Sequence, residues 1–212
     1  MTTTMGSQDA MPAAYPMRLE VARPEKQSRL TNFPLGIGLF IRYILLIPHL
    51  IILYFLGIVA YLLYFIATFA ILLSGRFPQG LHAFVTGFMR WNTNVTAYTY
   101  SLLDTYPPFS MDQQEYPLTF EVDYPDASSR LLNFPFLGII IRTILLIPHY
   151  VVLFFLGIAA FVVIFIAQFA ILFTGAFPAG MHKFVVGYTR WSMRLTAYTL
   201  GLTDKYPPFS LS

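Results

Sequence analysis

The 212-residue sequence has no cysteine and little charge, with 13 lysines and arginines against 10 aspartates and glutamates. Without cysteine there is no disulfide, no thiolate nucleophile, no iron–sulfur cluster and no cysteine-bound zinc. Charged residues make up 11% of the chain, less than half of the ~25% usual in soluble domains, so the sequence cannot coat a globule with solvated side chains. A net charge of +3 gives no footing for nucleic-acid binding. Residues 1–16, MTTTMGSQDAMPAAYP, lack a basic start, an apolar stretch and a cleavage site, and read as a disordered tail, not a signal peptide. A phosphate-binding glycine loop, an HExxH zinc motif and a dinucleotide fingerprint are also missing, and no enzyme is expected.

What remains is apolar. Hydrophobic residues make up 57% and aromatic residues 17%, and the mean hydropathy is +0.63. The run Leu35 to Leu73 carries only Arg42 and His49 as charged or imidazole side chains, and Phe136 to Phe173 carries only Arg142 and His149. Both runs exceed the ~20 residues that cross a bilayer core. A membrane protein is expected.

The chain is also one unit written twice. Residues 42–110 align without a gap on residues 142–210, and about 41 of the 69 positions are identical. The polar residues are doubled with the rest: His49 with His149, His82 with His182, Arg42 with Arg142, Arg90 with Arg190, and Asp104 with Asp204.

Each unit parses into four parts. The first is a strand: Leu118, Phe120, Val122 and Tyr124 alternate with Thr119, Glu121 and Asp123, echoed by Met17, Leu19 and Val21. The second opens at Asn32-Phe33-Pro34 and Asn133-Phe134-Pro135, where the asparagine suits a helix cap. It reaches Pro48, where a break is expected, giving an interfacial elbow helix ahead of the span. The third, His49 to Leu73, is long enough to cross, and GRFPQG or GAFPAG then turns the chain back. The fourth, residues 80–104, either spans or lies at the interface. Spanning is favoured, because at 100° per residue His82, Arg90 and Asp104 share one narrow stripe.

The expected fold is therefore an all-α integral membrane protein, a tandem duplication of a helical hairpin (four spans) with interfacial elbow helices and a short cytoplasmic strand per repeat. Its divisions are the tail 1–16, repeat 1 at 17–110, a linker at 111–116 and repeat 2 at 117–212. The two units share one orientation in this reading. Basic flanks outnumber the single Arg76 of the hairpin turns, which puts the termini in the cytoplasm and the protein in the inner membrane.

The string of charged strand, NFP, an arginine with IPH, a long span, GxFP, RW and YPPF resembles a bacterial family of membrane proteins catalogued only as a domain of unknown function. The resemblance covers about Arg18 to Ser110 and Leu118 to Ser210. It implies a membrane architecture and carries no catalytic residues across.

An arginine inside a span costs ~2.5 to 3.5 kcal/mol on insertion scales, so Arg90 and Arg190 need partners. With Arg194, His82 and His182 they form a candidate intramembrane ligand or lipid site; the alternative is a tie to backbone carbonyls. Arg42 with Asp104, and Arg142 with Asp204, are candidate interfacial salt bridges. His49 and His149 are candidate haem or chlorophyll-type pigment ligands, against a favoured reading as helix-end hydrogen bonders, and no other cofactor or metal is expected. Gly57 and Gly157 suit close helix approach better than Ala83 and Gly87, since Lys183 replaces Ala83 in the second copy. The expected function is a non-catalytic membrane scaffold or accessory subunit, with the lipid bilayer and other membrane subunits or itself as partners. The alternative is a small transporter or channel for protons or an anionic solute, built from two parallel repeats.

Overall fold

Each apolar run folds into one unbroken helix. The computed structural model describes residues 15–212, so the tail assigned to residues 1–16 lies, but for its last two residues, outside the described residues. The elements are β1 (Met17–Val21), α1 (Ile37–Ser74), α2 (Gln79–Thr99), β2 (Leu118–Val122), α3 (Leu137–Thr174) and α4 (Ala179–Thr199).

The expected break at Pro48 does not occur: elbow and span are a single helix of 38 residues, and Pro148 likewise sits inside α3. Proline removes one amide donor and disturbs the turn before it. In that turn the Tyr106 hydroxyl donates to the Leu45 carbonyl at 2.7 Å, and Tyr206 does the same to Leu145 at 2.8 Å. An outside donor thus serves the turn that proline weakens.

Asn32 is not the helix cap. Gly36, at φ 82°, begins α1, and a Cβ on Gly38 would stand 2.5 Å from the Phe33 nitrogen. The 31–33 turn therefore lies directly on the helix, which frees the Asn32 side chain to reach inward. At the far end Gly75, at φ 71°, donates its N–H to Ile71 and reverses the chain.

The two strands pair with each other, antiparallel, with Leu19 opposite Phe120. Met17, Leu19, Leu118 and Phe120 are buried while Arg18, Glu20, Thr119 and Glu121 are exposed, as period-two alternation demands. β1 packs on α4 and β2 on α2, so the strand that opens each repeat covers the helix of the other.

The halves are related by an approximate twofold axis and run in opposite directions. α2 and α4 meet at matched residues, Thr93 and Met193, where Oγ1 lies 3.3 Å from Sδ. The Gln27 amide donates to the Gly175 carbonyl at 2.8 Å and the Ser128 amide to Gly75 at 2.9 Å, so each long helix ends beside the start of the other. The expectation of two units sharing one orientation is corrected. A parallel arrangement needs a crossover between equal halves, whereas antiparallel strand pairing seats the halves face to face.

Two helices, α1 and α3, are long and apolar enough to cross a membrane. α2 and α4 are sheathed by the other elements, whereas α1 and α3 bury one stripe each and expose apolar side chains along their length, as far as Leu73 (83% exposed) and Phe173 (77% exposed).

Candidate functional site

The most completely satisfied polar centre is Arg42. Its guanidinium is fully buried. Nε donates to Thr31 O at 2.8 Å, and one terminal nitrogen donates to Tyr98 O at 2.6 Å and Leu103 O at 2.9 Å. The other donates to Asn32 Oδ1 at 2.8 Å and pairs with Asp104. The Tyr98 ring lies under the guanidinium carbon at 4.3 Å. Asn32 Nδ2 closes the circuit by donating to Asp104 Oδ1 at 2.9 Å. Arg142, Asn133, Asp204 and Tyr198 repeat the arrangement. This network ties the start of a long helix to the end of its neighbour and has no donor left for a ligand. Asn32 and Asn133 are members that the sequence offered only as caps.

His49 is a second buried centre. Trp91 Nε1 donates to its Nδ1 at 2.9 Å, and Phe109 stacks on the ring at 3.7 Å. Trp191, His149 and Phe209 match it. A neutral imidazole that accepts at Nδ1 carries its proton on Nε2, and a protonated nitrogen has no lone pair for iron or magnesium. The haem or pigment reading of His49 and His149 therefore has no support in the geometry. The tryptophan partner was the unrecognised half of this pair.

His82, Arg90 and Asp104 do not form one stripe. α2 ends at Thr99, and Ser101, at φ 60°, turns the chain away, so Asp104 belongs to Arg42. Arg90 donates to Phe120 O at 3.0 Å and Met111 O at 2.7 Å. Arg190 donates to Leu19 O and Leu211 O, both at 3.0 Å. Both arginines thus pin a strand to a helix. Burial pulls the Arg90 guanidinium below its ordinary value and Asp112 and Glu121 oppose that shift; it stays a cation. Close approach here uses Gly87, where a Cβ would meet Met111 Cβ at 2.9 Å, and Gly187, which faces Leu211 O at 2.7 Å. Gly57 and Gly157 instead seat the rings of Phe88 and Tyr188 between paired helices.

Arg194, present in one copy only, donates to Ser210 O at 3.2 Å and to Ser212 O, and lies 5.5 Å from the Tyr15 ring. His182 Nε2 lies 3.4 Å from Leu102 O in the other repeat. Burial lowers its pKa, the Leu102 carbonyl opposes this, and Arg23 lowers it further. His82 is lowered by burial, against the Leu202 carbonyl.

Neither the curated proteins nor the solved structures contain a match to the chain. A family model matches twice, over residues 37–111 and 137–210, which includes both Arg–Asn–Asp networks except for the asparagines. The chain therefore belongs to the family described as a domain of unknown function (DUF4389), and it carries two tandem copies of it.

Proposed function

We propose that the chain is a non-catalytic membrane scaffold or accessory subunit that packs laterally with other membrane subunits or with itself. It lies along the bilayer, with α1 and α3 in the plane of one leaflet, instead of crossing it. The observation that carries this reading is the direction of the molecule's polarity. The approximate twofold exchanges α1 with α3 and makes the two ends of this antiparallel pair alike, with Arg130 beside Gly75 and Arg29 beside Gly175, so no charge difference along the pair can orient a span. Across the sheet the contrast is strong: Arg18, Glu121 and Asp123 form an exposed ion-pair cluster on its outer face. In a spanning pose that cluster would sit near the bilayer middle, at the cost of charge in hydrocarbon.

Length supports the same pose. At 38 residues α1 is about 57 Å long, against a hydrocarbon core of about 30 Å. Fitting it across would need about 58° of tilt, beyond the usual range of about 0–40°. Lying flat, its exposed apolar side chains all enter one leaflet and the arginines at its ends reach headgroup depth. The sheet and residue 15 then face the cytoplasm at the inner membrane. The scaffold reading rests on the Arg42 and Arg142 networks, whose donors are all taken up by ties between elements. Transport has less support, because Asp104 pairs with Arg42 and Arg90 is tied to backbone carbonyls, so His82, Arg90 and Asp104 share no path.

The natural absence of cysteine makes the test clean. Lys26→Cys, Arg76→Cys, Asp126→Cys and Ala179→Cys mark both ends of both long helices. In the flat pose an impermeant maleimide labels all four from the same side of sealed vesicles. Labelling of Lys26→Cys and Ala179→Cys from one side and of the other two from the opposite side would overturn it. Purification in mild detergent is expected to yield an assembly; a monomer under every mild condition contradicts the scaffold role.

A further inference from the structure

A cavity of about 400 Å³ lies between the start of α1, the end of α2 and the middle of α3. Its wall is chiefly apolar and aromatic, with Leu39, Tyr43, Phe161 and Phe165 among the lining residues. Tyr43, Phe161 and Phe165 are also exposed on the outer apolar surface, so the cavity opens where α1 and α3 meet their surroundings. Gln168 faces this space. Only 4% of the residue is exposed, and its carboxamide makes no hydrogen bond among the described residues, which leaves it open to a partner in the cavity. Tyr100 and Tyr188, whose rings lie 6.5 Å apart, line the same space.

The duplication supplies an internal control. Ile164 leaves room where its twin Tyr64 is buried with its ring against Gly201. Gln168 stands where Thr68 bonds its own helix, at 2.6 Å to Phe65 O. Tyr100 and Tyr188 stand where the other half has Leu200 and Phe88. Gln168, Tyr100 and Tyr188 are thus each replaced in the other half by an apolar or internally bonded side chain. These four differences converge on one space, which Tyr64 fills in the other half, so the cavity is built in one half alone.

We propose that this cavity binds a neutral membrane lipid through a carbonyl-bearing head, with its apolar chain running out along α3. Such a head suits the lining. No lysine, arginine, aspartate, glutamate or histidine is among the lining residues, so a phosphate or ammonium would be buried without a counter-charge. A carbonyl oxygen accepts from the Gln168 amide and from a tyrosine hydroxyl, and the aromatic wall packs against a flat head or an ester group. Isoprenoid quinones and acylglycerols share this chemistry.

The proposal rests on the membrane reading, and its test separates the two. The full chain in phosphatidylcholine nanodiscs is titrated with decylubiquinone and, separately, with dioleoylglycerol. Saturable one-to-one binding of either probe is expected and identifies the source; binding of neither overturns the proposal. Ile164→Tyr fills the space with the residue the other half uses, and Gln168→Leu removes the amide while keeping the volume similar. Each is expected to weaken binding at least tenfold with an unchanged melting temperature. Affinity unchanged in Gln168→Leu would also overturn the proposal. Carbonate extraction of native membranes reports on the other reading: release of the wild-type chain as soluble protein defeats the membrane assignment itself, whereas a retained chain that binds neither probe defeats only the lipid site.

Discussion

Arg42 directs all of its N–H groups at the protein: one helix-end carbonyl, two loop carbonyls, Asn32 and Asp104. Removing one member of a buried ion pair leaves the rest of the network uncompensated, which typically costs about 3–5 kcal/mol. Arg42→Ala is therefore expected to lose most of its folded, detergent-extractable protein, measured by fluorescence-detected size exclusion. Arg42→Lys should recover little, since an ammonium cannot span the same fork of acceptors. The histidines at the starts of α2 and α4 belong to this scale as well. Burial lowers both His82 and His182, so the unfolded chain binds protons more readily than the folded one. Their contribution to stability is complete above the ordinary histidine value of about 6.5 and is lost as pH falls from there through the folded value. A melting series from pH 8 to pH 5 should fall at the acid end, and His82→Gln with His182→Gln should flatten it.

At the scale of elements, the long helices survive their prolines with help from outside. Tyr106 and Tyr206 each give a hydroxyl to the turn before Pro48 or Pro148. Tyr106→Phe with Tyr206→Phe removes two hydrogen bonds of about 1 kcal/mol each and should lower the melting temperature without changing helix content by circular dichroism. The strands depend on the middle helices in a comparable way. Arg90 and Arg190 each donate to a strand carbonyl, so Arg90→Ala with Arg190→Ala is expected to release the sheet. Faster amide exchange at residues 17–21 and 118–122, with α1 and α3 still protected, is the expected readout.

At the scale of the molecule, the exchanged strands make the halves interdependent. β1 covers α4 and β2 covers α2, so a chain ending at residue 110 lacks β2, which is the pairing partner of β1, and both carbonyls that Arg90 binds. That half is expected to elute as a dimer or an aggregate, and a stable monomer would contradict the interlocked arrangement. The same symmetry equates the two ends of the antiparallel pair of long helices and confines the main polar contrast to the direction of the sheet. The flat pose proposed for the membrane rests on that contrast and on the length of α1.

The sequence by itself determined the duplication, the apolar runs, the strands and the matched polar residues, because each is a matter of local pattern or direct repetition. Alternation along Leu118 to Val122 marks a strand wherever it packs, and the Leu35 to Leu73 run is apolar in any fold. Only the tertiary structure decided which polar residues meet. Helical phase placed Asp104 near Arg90, but the helix ends at Thr99 and the turn at Ser101 delivers the carboxylate to Arg42. Pairing between His49 and Trp91 lies 42 residues apart in the chain, beyond the reach of any periodicity. The direction of the second half was likewise hidden, since a repeat has the same sequence whether it lies parallel or antiparallel to its twin. Long-range contacts settle that choice: β1 pairs with β2, and each long helix ends against the start of the other.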